Sequence, residues 1–105
     1  MDKYILVDKV PTIVDDPIEW GRWYETADRH VAKTTIDKIE ISTVFLGLDH
    51  NFAENGVPLI FETMTFGAPE EVCLRCSTWE QAEAQHQEVC AQFNGNNILE
   101  FKKVS

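Results

Sequence analysis

Two residues stand where their neighbours are apolar. Glu62 interrupts Leu59-Ile60-Phe61-Glu62-Thr63-Met64, and His86 shares a helical stripe with Trp79, Ala82, Val89, Cys90 and Phe93. A polar group buried without a partner costs about 1–3 kcal/mol, so each of these needs one. The spacing makes each the first-choice partner of the other, with Asp49 and His50 near the strand end. Asp49, His50, Glu62 and His86 are therefore the candidate ligand-binding set. The plainer reading is a satisfied core histidine and a glutamate on a solvent face. No catalytic residue is assigned, because the chain has no nucleophile elbow, no Ser/His/Asp order and no phosphate-binding glycine loop.

Cys73-Leu74-Arg75-Cys76 invites a zinc or thiol-redox reading. Such a pair normally lies on a tight turn or at a helix start, where both sulfurs reach one side. These two fall in an expected strand, where positions i and i+3 point to opposite faces. Neither a second pair nor a suitably spaced histidine pair completes four ligands, so no metal and no cofactor is expected. The acidic loop Asp49-His50-Asn51-Phe52-Ala53-Glu54-Asn55-Gly56 lacks the calcium-loop pattern, offering Ala53 and Glu54 at the fifth and sixth positions. Asp49 and Asn51 there suit the shaping of a turn through backbone hydrogen bonds.

The elements that must position these residues follow from pattern. Residues 3–7 read as a short strand. Asp16-Pro17 with Glu19 opens a helix, and Trp20, Trp23, Tyr24, Ala27 and Val31 make its apolar stripe. Residues 34–48 read as strand, 57–66 as a second and 72–76 as a third, with turns at Asn55-Gly56 and at Gly67-Ala68-Pro69. Ser77-Thr78-Trp79-Glu80-Gln81 opens a second helix, either Ser77 with Glu80 or Thr78 with Gln81 making a capping box, and Gly95 stops it. Residues 98–103 read as a last edge strand guarded by Lys102 and Lys103. The order β-α-β-β-β-α-β predicts an α+β fold. It has a mainly antiparallel sheet of four to five strands with two amphipathic helices on one face, a ferredoxin-like variant being one form. Trp20, Trp23, Tyr24, Trp79 and Phe93 are the expected buried aromatics.

The chain's 105 residues suffice for one domain and a modest core, to which a homodimer partner could add. Its first residues lack the pattern of a signal peptide, and no run is apolar enough to span a bilayer. Three cysteines in a chain this large fit a reducing cytosol. The net charge is −9, and its distribution is uneven: between residues 40 and 100 ten acids face a single base, Arg75. Such a surface repels phosphate, so direct nucleic-acid binding is not expected, while a basic protein partner is.

Three segments carry a resemblance: Ser42-Thr43-Val44-Phe45-Leu46-Gly47-Leu48-Asp49-His50; Phe61-Glu62-Thr63-Met64 with Phe66-Gly67; and Ser77-Thr78-Trp79-Glu80 with Ala82-Glu83 and His86. Over roughly residues 40–90 the chain resembles a group of small bacteriophage and prophage proteins. That resemblance implies a phage or mobile-element origin and expression in the cytoplasm of a bacterial host. It brings no functional residues with it. The expected function is a non-enzymatic accessory protein that binds a host component, such as a basic or nucleic-acid-handling defence protein that it inhibits. A sequestering protein with a small-molecule pocket near Glu62 and His86 is the alternative, and a small enzyme the third.

Overall fold

The computed structural model describes residues 2–51 and 56–93. Chain order is β1 (Tyr4–Val7), β2 (Val10–Ile13), α1 (Pro17–Thr26), β3 (His30–Ile36), β4 (Ile39–Phe45), β5 (Phe61–Phe66), β6 (Cys73–Cys76) and α2 (Trp79–Phe93). Strands β1 and β2 form a separate hairpin, and β3-β4-β5-β6 form a four-stranded antiparallel meander. The α+β class is thus as expected. The order differs: two hairpins appear where single strands were read, and the meander lacks the interleaved strand order of a ferredoxin-like sheet. The expected strand over residues 98–103 and the stop at Gly95 lie outside the described residues.

The missed turns have a common cause. Asp8 and Lys9 both take positive φ, 53° and 67°, which is what a two-residue hairpin turn demands and what glycine or asparagine usually supplies. Between β3 and β4 Asp37 takes left-handed backbone too, at φ 55°. Gly67 does follow the ordinary rule. At φ 86°, a β-carbon on it would stand 2.8 Å from the Lys38 carbonyl oxygen, so only glycine fits.

Strand alternation decides what reaches α2. From the register, Ala32, Thr34, Ile36, Ile41, Thr43, Phe45, Phe61, Thr63, Thr65, Leu74 and Cys76 share one sheet face. Ala82, His86 and Val89 of α2, at spacings of four and three, are its buried positions and lie over this face. The core is Phe45, Ile60, Phe61 and Ala82, with Tyr4, Leu6, Trp23, Val31, Cys76 and Trp79 packed around it. Rings meet edge-on or tilted along Trp23–Phe45, Phe45–Phe61 and Phe61–Trp79, with centroids 5.7, 5.2 and 6.3 Å apart.

Helix α1 starts as read, with the Asp16 carboxylate accepting from the Ile18 N–H at 2.9 Å and Pro17 in the first turn. It stops at Thr26, however, and Val31 belongs to β3, where β-branched residues from Val31 to Ile36 favour the extended chain. None of its residues is fully buried. Trp20, Trp23, Tyr24, Trp79 and Phe93 are half-buried rather than interior. Trp20 and Tyr24 act as clamps instead. The Trp20 indole N–H donates to the Tyr4 and Gly47 carbonyls, and the Arg29 guanidinium lies 4.1 Å from the Tyr24 ring centre while donating to the Phe45 carbonyl.

Candidate functional site

His86 faces the sheet, as its place in the stripe predicted, and only 2% of it is exposed. Its partner is not Glu62. Nδ1 lies 2.8 Å from the Thr43 hydroxyl and Nε2 2.8 Å from the Thr34 hydroxyl, while Thr43 and Thr63, opposed across β4 and β5, bond at 2.7 Å. The chain Thr63–Thr43–His86–Thr34 satisfies both ring nitrogens. Because hydroxyl protons rotate, either tautomer of a neutral imidazole completes it. Burial lowers the imidazole pKa from 6.5, and the groups on both nitrogens are neutral hydroxyls that do not balance a charge. The arrangement fixes α2 on the sheet; with both nitrogens engaged and almost no exposure, it offers no open position for a substrate. Sequence reasoning missed Thr34, Thr43 and Thr63. The signal for Thr43 and Thr63 was present in Ile41-Ser42-Thr43-Val44-Phe45 and Phe61-Glu62-Thr63, where each alternates in phase with buried apolar residues.

Glu62 lies one residue from Thr63 and so projects from the opposite face, which rules out a pocket shared with His86. Directly across the β5–β6 pair stands Arg75, whose Nε donates to Glu62 Oε2 at 3.0 Å, and the Cys73 thiol approaches the same oxygen at 3.5 Å. Cys76, in contrast, packs against the core. The two sulfurs are therefore aimed apart, as strand alternation required. Burial raises the pKa of both thiols above 9.0, the Glu62 carboxylate adding to the effect at Cys73, so neither is an activated thiolate. Among the described residues no group of three or more His, Cys, Asp or Glu is placed to hold a metal ion.

Asp49 and His50 stand away from both. Asp49 Oδ1 accepts from the Asn51 N–H at 2.8 Å and from the Leu59 N–H at 3.0 Å, tying the two ends of the loop together. The His50 Nδ1–H donates to the Leu48 carbonyl at 2.9 Å, and its backbone N–H donates to the Leu59 carbonyl. The four expected site residues thus occupy three places: a buried network, a cross-strand ion pair and a loop tie.

A different feature does open to solvent. A groove of about 420 Å³ runs between β6 and α2, lined on the strand side by Leu74, Arg75, Cys76 and Ser77 and on the helix side by Gln81, Ala84, Gln85 and Glu88. The helix start beside it is set by a reciprocal capping box. The Gln81 N–H donates to the Thr78 hydroxyl at 3.1 Å, and Gln81 Oε1 accepts from the Thr78 and Ser77 N–H groups. Beyond the groove, α2 presents Glu80 and Glu83 to solvent and carries no lysine or arginine along its length. No protein-family model, curated protein or solved structure matches the chain.

Proposed function

We propose that the chain is a non-enzymatic binding protein whose α2 side engages a basic surface on a protein partner. The observation that carries this reading is the uncompensated charge of α2. Glu80, Glu83 and Glu88 are exposed, and none of them is in an ion pair among the described residues. Glu83 follows Glu80 by one turn, a like-charge spacing that weakens a helix by a few tenths of a kcal/mol. The last turn has no base to meet the helix dipole. Glu80, in the first turn, suits the dipole, whereas Glu83 one turn on and Glu88 toward the C-terminal half are left uncompensated, and charge of that kind marks a surface with work to do.

In this reading the two helices serve one side of the four-stranded sheet, α2 directly and α1 through Trp23. By its resemblance to phage and prophage proteins, the partner belongs to a bacterial host, a nucleic-acid-handling defence protein being the kind that offers a basic surface. The net charge of −9 speeds encounter with such a surface and discourages self-association. The test is capture from bacterial lysate on three immobilised proteins: the parent, Glu80→Gln/Glu83→Gln/Glu88→Gln, and a charge-matched control, Asp15→Asn/Glu19→Gln/Glu25→Gln. A discrete protein retained by the parent and the control and lost from the α2 variant is expected. Equal retention on all three, or none on the parent, contradicts the reading.

A further inference from the structure

We infer that the groove between β6 and α2 takes an extended, lysine- or arginine-bearing segment of the partner, added antiparallel to β6 as a fifth strand of the sheet. This deepens the proposed function and rests on it for the sign of the partner's charge.

The hydrogen-bonding argument comes first. Among the described residues, strand β6 is an edge of the sheet. The Thr65 N–H donates to the Val72 carbonyl at 3.1 Å, which makes that pair a bonded one. In an antiparallel ladder bonded pairs alternate, so Leu74 and Cys76 also turn their backbone groups toward β5. Cys73 and Arg75 therefore turn theirs outward, into the groove side. Among the described residues the Gln85 amide is what meets them: Nε2 stands 3.5 Å from the Arg75 carbonyl, at the outer limit of a hydrogen bond, and Oε1 is buried with no donor. An unpaired edge and an ill-satisfied amide side by side are what an incoming backbone would complete.

Charge and shape then select the occupant. On the α2 face the groove floor is apolar, with Leu59, Ala84 and Leu74, the last 40% exposed. Its helix wall carries Glu88, the acid of α2 that lines the groove. A lysine or arginine fits this combination, its stem along Leu74 and Ala84 and its cation at Glu88. On the opposite face the neighbours are Cys73 and Arg75, so alternate residues of the segment should be uncharged. A second copy of this chain is the poorer occupant, since two acidic molecules would bring like charges together at this wall.

The probe is a capped peptide of about eight residues, a usual strand length, that alternates lysine and valine. In antiparallel register the residues opposite Cys73 and Arg75 are valines, and their N–H groups face β6. N-methylation of the valines should weaken binding at least about tenfold, the loss expected when two strand hydrogen bonds are removed, while N-methylation of the lysines should leave it nearly unchanged. Cys73→Pro, which removes an outward N–H that β5 does not use and keeps the Glu62–Arg75 pair, should weaken it likewise while retaining the fold by circular dichroism. Amide exchange at Cys73 and Arg75 should slow on binding. Binding that ignores which residues are methylated overturns strand addition and leaves the electrostatic reading standing. Binding unaffected by Glu80→Gln/Glu83→Gln/Glu88→Gln sinks that reading itself. No binding at low salt overturns the groove as a cationic-strand site, and self-association through β6 in its place would show a second copy as the occupant.

Discussion

His86 is an imidazole used as a two-ended peg. Leucine in its place would fill the space but leave the Thr34 hydroxyl without its partner and Thr43 with only Thr63. His86→Leu should therefore lose about 1–3 kcal/mol in urea unfolding, and Thr34→Val, Thr43→Val and Thr63→Val added together should recover much of that, because all four members of the network are then apolar. A second prediction follows from the same burial. The folded imidazole has its pKa below 6.5, so the unfolded chain binds the extra proton first as pH falls. The stability due to neutral His86 is present above pH 6.5 and is lost between 6.5 and the lower folded value. Unfolding measured through that window should show a steeper decline for the parent than for the all-apolar variant; equal slopes would contradict the burial of a neutral ring. The sequence made His86 legible as a buried polar residue. It did not reveal the partner, because choosing Glu62 over Thr43 required knowing which strand face the helix covers, and Glu62 and Thr63 differ by one position.

At the scale of elements, the helix starts were the clearest features, since Asp16-Pro17 and Thr78 with Gln81 state their geometry in local chemistry. Thr78→Ala removes the acceptor of the Gln81 N–H and should cost about 1 kcal/mol, checked by thermal unfolding. In the connection between β4 and β5 one carboxylate holds two backbone N–H groups. Asp49→Ala frees the Asn51 and Leu59 N–H groups together and should cost about 1–3 kcal/mol, with faster proteolysis in that loop and little change elsewhere. The hairpins β1–β2 and β3–β4 were illegible for a physical reason: Asp8-Lys9 and Asp37 adopt left-handed backbone without glycine, held by the pairing on either side. Helix α1 was read too long because Val31 continues its apolar spacing, although that residue belongs to the next strand.

For the whole molecule, α+β class and antiparallel pairing could be read from alternation and turns, whereas the separation of a small hairpin from the four-stranded sheet could not, since it depends on contacts such as Tyr4 to Gly47. The candidate site moved further. Residues that looked chemical proved to hold the fold, and the open groove lies between β6 and α2. The measurement that tests this most directly is the affinity of the captured partner across a rising salt series, for the parent, Glu80→Gln/Glu83→Gln/Glu88→Gln and the α1-side control. Affinity should fall with salt for parent and control alike, and the α2 variant should bind at least about tenfold more weakly at low salt with a flatter dependence. Equal affinity and equal salt dependence for all three proteins would contradict the assignment of α2 as the binding surface.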